Sequence, residues 1–258
     1  MSTAAVDARR QYEDEGYVIF RNVLDRELIA EAYEHVDWLL AKHPELRPEQ
    51  LGHRLAREDP FWLRLVSDDR LLDIAEQFIG PDIALFATHY ICKPPKTGQA
   101  VRWHQDGAFW PLEPMNVITL WLAITESDPA NGCLRVIPGT HTMELKGMKE
   151  TDDADTVLRS EIAARIDDAE AVDLTLQPGD VSVHHPNVIH SSEANSSDRW
   201  RRALTIRYIP TSTRITRPDE ASAFLLRGSA VAGVNDYGEA TRFSAGVHMP
   251  FSGSDAWR

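Results

Sequence analysis

The stretch VITLWLAITESDPANGCLRVIPG, residues 117–139, reads as two short β-rich runs set apart by turn-forming dipeptides. The runs at 117–125 and 134–137 are bounded by Asn131-Gly132 and Pro138-Gly139, residue pairs that supply the backbone conformations of tight turns. The same texture continues on both sides. Further runs fall at 83–92, 172–176, 181–184 and 203–209, punctuated by Pro94-Pro95 and Pro178-Gly179. Before Pro81 the spacing is helical. Asp25 can cap a helix whose apolar stripe is Leu28, Ala32, Tyr33, Val36, Leu39 and Leu40, opposite Arg26, Glu27, Glu31 and Glu34. A second helix is predicted over 69–79 on Leu71, Leu72, Ala75, Phe78 and Ile79, ended by Gly80-Pro81. The expected architecture is mainly β, a sandwich or barrel at 83–210 flanked by helices within 5–80. The interval 144–171 reads as a helical or mobile insertion, and 211–258 as a carboxyl-terminal segment. No linker divides the chain, so one domain over 1–258 is expected.

With 43% apolar and 26% charged side chains, 14 Gly and 15 Pro, the composition excludes disorder, collagen and coiled coil. A formal charge of −13 repels polyphosphate backbones, so no nucleic-acid partner is expected. No apolar run approaches the roughly 18 residues that span a bilayer, and no membrane partner is expected. Residues 1–15 are polar and of mixed charge, unlike a secretory or transit leader, which together with two isolated cysteines, Cys92 and Cys133, points to a reducing, cytoplasmic setting. A monomer or homodimer acting on a small molecule fits these bounds.

Ten histidines are many for an acidic chain, and His104, His184, His185 and His190 lie in the β-rich half. In an extended His104-Gln105-Asp106, residues i and i+2 point to one face, so an imidazole and a carboxylate converge. A third ligand from another strand would complete a set of two imidazoles and one carboxylate, which leaves three octahedral positions open and suits a non-haem Fe(II) oxygenase. Taken alone, the HxD pattern also arises by chance as a surface or turn pair.

Its context is more specific. Lys93-Pro94-Pro95, Arg102-Trp103-His104-Gln105-Asp106, Asn131-Gly132-Cys133-Leu134, Ile137-Pro138-Gly139-Thr140-His141, and Pro178-Gly179-Asp180 followed by His185-Pro186-Asn187-Val188-Ile189-His190-Ser191 occur in that order. Over roughly residues 10–210 the chain resembles the phytanoyl-CoA hydroxylase-like (phytanoyl-CoA dioxygenase) family of Fe(II)/2-oxoglutarate dioxygenases. The resemblance implies a double-stranded β-helix, or jelly roll, with Fe(II) as cofactor and 2-oxoglutarate and O2 as cosubstrates. It places the metal ligands at His104, Asp106 and His190. His184 and His185 are rivals for the last position, but the family's His-Pro step falls on His185-Pro186 and its metal histidine lies five positions further on. For the distal carboxylate of 2-oxoglutarate the resemblance implies Arg201, with Arg199 and Arg202 as competitors one loop residue away. Trp121 and His89 would line the same pocket, His89 standing where a family member has methionine. The implied reaction is hydroxylation of an unactivated C–H bond with release of succinate and CO2. Halogenation is disfavoured, since related halogenases lack the carboxylate that Asp106 supplies.

Six arginines and no acid occur between Arg199 and Arg217, against the balance of the chain. A small carboxylate or phosphorus oxyanion docked by Arg214 or Arg217, walled by Trp103, Phe109 and Trp110 and closed over by a tail at 228–246, is therefore expected as substrate, rather than an acyl-CoA or a protein. Solvated charge and core packing are the bland alternatives for these residues. His141 reads as a turn residue. Two other functions compete: a non-catalytic jelly roll that binds a ligand or metal, and a cupin-type metalloenzyme that does not use 2-oxoglutarate.

Overall fold

The computed structural model describes residues 3–151, 156–158, 160–164, 166–217 and 223–257. Helices α1 (Thr3–Glu15), α2 (Arg26–Lys42), α3 (His53–Ala56), α4 (Pro60–Val66) and α5 (Asp69–Ile79) fill the amino-terminal part. Local chemistry sets their ends. Asp25 accepts the Leu28 N–H at 2.9 Å to cap α2, and Asp59 accepts that of Trp62 at 2.8 Å to cap α4, which has Pro60 at its first position. Gly80, at φ +84°, ends α5 as expected. The stripe predicted for α2 holds except at Tyr33, which is exposed and stacks on the Arg202 guanidinium, while the unpredicted His35 is buried in its stead.

Two sheets carry the rest. The larger runs β1 (Tyr17–Phe20), β10 (Val181–His184), β5 (Ile118–Ala123), β12 (Ala203–Pro210), β2 (Ile83–Tyr90) and β14 (Phe224–Arg227). The smaller runs β3 (Val101–His104), β11 (Ile189–Ser192), β6 (Leu134–Ile137) and β9 (Val172–Leu174), and two short pairs join β13 (Arg214–Ile215) to β4 (Leu112–Glu113) and β7 (Met148–Glu150) to β8 (Ser160–Ile162). Every paired strand is antiparallel, and neighbours in space are distant in sequence, the connectivity of a jelly roll.

The larger sheet is buried on both faces, and strand alternation divides its residues between two tasks. Leu120, Leu122, Val181, Val183, Leu204 and Ile206 face outward and form one core with Leu28, Val36 and Leu71 of the helices. Their neighbours face inward in two lateral rows, Ser182–Trp121–Thr205–His89 and His184–Thr119–Arg207–Ala87. Polar side chains on a face that the fold encloses mark where the chemistry sits.

Two expectations need correction. Among the described residues, 144–171 forms no α-helix: it supplies the β7–β8 pair and a turn at Asp168–Glu170, because Met148, Ile162 and Ile166 pack on Trp103, Ile137 and Ile189. The tail at 228–246 contributes no residue to the lining of the cavity described below. Its first half lies against β13 and the start of β14, where Asn235 accepts the Ile215 N–H and the Gly238 N–H donates to the Ala223 carbonyl, and its second half turns to the helical side, where Thr241 donates to the Arg57 carbonyl and Phe243 packs beside Phe251. No helix among the described residues is long and apolar enough to cross a membrane.

In the helical core His35 Nε2 donates to Asp59 at 3.1 Å, and its Nδ1 pairs with the Tyr90 hydroxyl at 2.9 Å. Burial opposes ionisation of Asp59, but His35 and the Trp62 N–H outweigh it and hold the carboxyl below its ordinary value. Asp59→Ala removes a cap and leaves a buried imidazole N–H unpaired. A loss of about 2–4 kcal/mol is expected, read as a lower urea midpoint at unchanged m-value.

Candidate active site

Strand β3 ends at His104, and Gln105 remains extended (φ −122°, ψ 119°) before the chain turns at Asp106–Ala108. His104 and Asp106 therefore point to one side and Gln105 to the other. Buried Gln105 clamps the turn, donating to the Asn187 carbonyl and accepting from the Lys146 N–H, both at 2.8 Å. In the ladder between β3 and β11, His190 stands directly opposite His104. The result is a buried cluster of His104, Asp106 and His190 whose ligand atoms lie within 4.8 Å of one another. His104 Nδ1 donates to the Arg102 carbonyl at 2.8 Å and His190 Nδ1 to that of Val188 at 3.0 Å. These bonds fix the tautomer that leaves each Nε2 lone pair available. Burial disfavours the Asp106 carboxylate, yet Arg207 and the two histidines overcome this and hold it far below the usual carboxylate range. Burial and the neighbouring His104 push the His190 imidazolium well below its ordinary value. Imidazole Nε2 lone pairs beside an ionised carboxylate are the donor set that Fe(II) takes.

The cluster opens on a cavity of about 340 Å3. Arg201 lies in its wall, 1% exposed. Its Nη1 donates to the Ile91 carbonyl at 3.1 Å and its guanidinium stands 5.3 Å from the Trp121 ring centroid, but Nε and Nη2 have no hydrogen-bond partner among the described residues. Burial lowers the Arg201 pKa to about 10, which leaves it charged at neutral pH. Buried, charged donors without partners fit a carboxylate of a bound molecule. The competitors point elsewhere. Arg199 is exposed and paired with Glu126 and Asp128, while Arg202 pairs with Asp37 and the Tyr33 carbonyl on the helical side. His89 lines the cavity and donates its Nε2–H to the Glu49 carbonyl at 2.9 Å.

Comparison with known proteins agrees with this geometry. The phytanoyl-CoA dioxygenase (PhyH) family profile matches residues 12–203. The chain belongs to the phytanoyl-CoA dioxygenase family. Phytanoyl-CoA dioxygenase 1 of Oryza sativa subsp. japonica is 32% identical over 175 residues, 68% of this chain and 62% of that protein. A Stutzerimonas stutzeri protein named as a probable alpha-ketoglutarate-dependent hypophosphite dioxygenase is 31% identical over 147 residues, 56% of this chain and 51% of the relative. The match thus spans about half to three-fifths of the length of these curated relatives. Among solved structures, the apo form of the non-haem monooxygenase ThoJ superposes with a TM-score of 0.77 at 26% identity, over 90% of this chain and 87% of that one.

Within the phytanoyl-CoA dioxygenase fold the remaining site residues separate clearly. Phe109 and Trp110 line the cavity. Trp103, one position before an inward histidine, faces the opposite way and donates to Asp168 at 2.9 Å. Arg214 donates to the Val234 and Gly233 carbonyls and Arg217 to that of Phe109, and the described cavity lining includes neither. His141 and His185 pack together near α1, away from the cavity, with His141 donating to the Glu13 carbonyl. His184 ends β10 fully buried beside the cluster, its Nε2 3.9 Å from Asp106. Sequence reasoning passed over Arg207, Phe86, Thr205, His53, Val157 and Leu158, all in the cavity wall. For Arg207 a signal existed: it lies six residues beyond Arg201, an even spacing that puts both on one face of an extended chain.

Burial, with Arg207 nearby, lowers the His89 pKa to about 4, and burial, with His141 nearby, does the same to His185. Below pH 6.5 the unfolded chain binds protons at both rings that the native chain refuses until about pH 4, so stability falls with acid through that window. The slope contributed by the pair reaches about 2.7 kcal/mol per pH unit, and His185→Asn should remove about half of it. Urea unfolding at pH 7, 6 and 5 measures this.

Proposed function

We propose that the protein is an Fe(II)- and 2-oxoglutarate-dependent dioxygenase that hydroxylates an unactivated C–H bond of a small anionic metabolite. What carries this reading is the opening of one cavity both on the His104–Asp106–His190 cluster and on the unpartnered Arg201 guanidinium. A storage or sensing jelly roll has no use for the second feature. His104, Asp106 and His190 would hold Fe(II), and Arg201 would take the distal carboxylate of 2-oxoglutarate, with Trp121 and His89 on the adjoining walls. Bound Fe(II), with O2 and 2-oxoglutarate, supplies the oxidising power, by R–H + O2 + 2-oxoglutarate → R–OH + succinate + CO2.

The residues of the chain do the rest by position and exclusion. Nδ1 hydrogen bonds to backbone carbonyls hold both imidazole rings in register, and Arg207 keeps Asp106 ionised. Phe86, Trp110, Leu134, Val157 and Leu158 wall the cavity with apolar surface that excludes water from the reacting bond. A volume near 340 Å3, shared with 2-oxoglutarate, sits at the lower end of ligand pockets and supports a small substrate. The hypophosphite named for the Stutzerimonas relative, a small phosphorus oxyanion, supports the anionic class.

On anaerobic addition of 2-oxoglutarate to the Fe(II) protein, a weak visible charge-transfer band is expected, and its absence would sink the reading. Arg201→Ala should raise the 2-oxoglutarate concentration needed for that band at least tenfold with Fe(II) affinity nearly unchanged, as loss of a charged hydrogen bond worth about 1.5–3 kcal/mol implies, whereas Arg199→Ala should leave it in place. Asp106→Ala should abolish product-coupled turnover, and near-wild-type coupling in that variant would overturn the ligand set.

A further inference from the structure

Arg207 is a second cation in the cavity wall. It stands on β12, six residues beyond Arg201, which lies two residues before that strand in a bridge with Lys93, and six extended residues span roughly 20 Å. Its Nη1 donates to Thr205 Oγ1 at 2.8 Å, and Trp110 covers it with a ring centroid 5.4 Å away. Its Nη2 is 3.8 Å from Asp106 Oδ2, outside hydrogen-bond distance, and its Nε has no partner among the described residues. Two neighbours in the same lateral row share this property. Thr119 and His184 are fully buried, and the Thr119 hydroxyl and both His184 ring nitrogens also lack partners among the described residues. Arg207 and His184 line the cavity, and Thr119 lies between them in the row. Buried polar atoms without partners are rare in native proteins, so their clustering at this wall calls for a ligand group that satisfies those facing the cavity. The donors that line the cavity here are a guanidinium and an imidazole, which suit an anion. Asp106 meets that need only in part: its carboxylate stands 3.8 Å from Arg207, outside hydrogen-bond distance, and a metal ion held by the cluster would draw on the same charge.

We infer that Arg207, with His184 in the same lateral row, forms the subsite that takes the carboxylate or phosphorus oxyanion of a small substrate, beside the metal cluster and apart from Arg201. The inference rests on the dioxygenase reading and replaces Arg214 and Arg217 as the anchor. Strand β12 and the residues leading into it thereby carry two guanidiniums that keep two anions apart, the cosubstrate at Arg201 and the substrate at Arg207.

The test is a comparison of each anion with its neutral counterpart. Protein holding Fe(II) and saturating 2-oxoglutarate is titrated anaerobically by calorimetry with two- to six-carbon carboxylates, alkyl phosphates and alkylphosphonates, each beside the matching amide or alcohol. The wild type should bind at least one anion 30-fold or more tightly than its neutral counterpart. In Arg207→Gln that ratio should fall below threefold, and because the ratio is internal to each variant, any loss of folded protein cancels. Arg214→Gln and Arg217→Gln should keep the wild-type ratio within twofold, and succinate release in air should follow the same order. Which anion series binds separates carboxylate from phosphorus oxyanion. A preference that persists in Arg207→Gln, that disappears instead in Arg214→Gln or Arg217→Gln, or that the wild type lacks across the whole panel overturns the subsite. Absence of the charge-transfer band before any titrant is added overturns the dioxygenase reading instead, so the two failures are told apart.

Discussion

The pairing of β3 with β11 is the constraint on which the site depends. His104 and His190 are far apart in sequence, yet the ladder sets them opposite each other with ring centroids 4.0 Å apart. Side chains alternate with a period of two, so a slip of one residue would turn His190 outward and bring an isoleucine or serine into its place. Several contacts prevent the slip. β11 is also paired on its other edge with β6, where His190 faces Val136, the Thr140 hydroxyl accepts the Ile189 N–H, and Gln105 grips the Asn187 carbonyl. The geometry of the cluster is thus a property of sheet register rather than of a flexible loop.

Because helices cover the outer face of the larger sheet, its inward positions are free to be polar. That polarity costs stability wherever no bound group meets it: a buried polar group left unpaired costs about 1–3 kcal/mol, and Arg201, Arg207, Thr119 and His184 all carry atoms without a partner among the described residues. The outward residues of the same strands, Leu120, Leu122, Leu204 and Ile206, offset that loss by packing on α2 and α5. Alternation along a single strand therefore assigns stability to one face and chemistry to the other.

How legible a segment was in the sequence depended on whether its signal is local. The strands Leu134–Ile137 and Val181–His184 and the helix Asp69–Ile79 emerge at their expected bounds because turn dipeptides or a cap and a glycine flank them. Strand β11 escaped because His-Ser-Ser after Pro186 carries little β propensity, and only pairing with β3 and β6 makes it a strand. Parity explains the rest. Placing His104 and Asp106 on one face already required Trp103 to face away, and placing Arg201 inward already brought Arg207 with it. The arginine-rich stretch drew attention to Arg214 and Arg217 by composition, but composition does not distinguish the inward face of a strand from an exposed turn.

The charge balance of the chain reinforces the division between surface and cavity. A net charge of −13 repels anions at long range, but at physiological salt such fields fade within about 8 Å, so capture of an anion is decided by the charges it meets on entry. On the outside, excess carboxylates occupy the arginines: Arg70 is matched by Asp25 and Asp68, Arg135 by Asp173 and Glu193, Arg199 by Glu126 and Asp128, and Arg227 by Asp69, Asp73 and Glu76. Inside, the cavity lining holds two guanidiniums and one carboxylate, Asp106, which a metal ion would share. The acidic surface thus satisfies its own cations and leaves unmatched positive charge where the walls exclude water, and there an ion pair is worth several times its value in solvent.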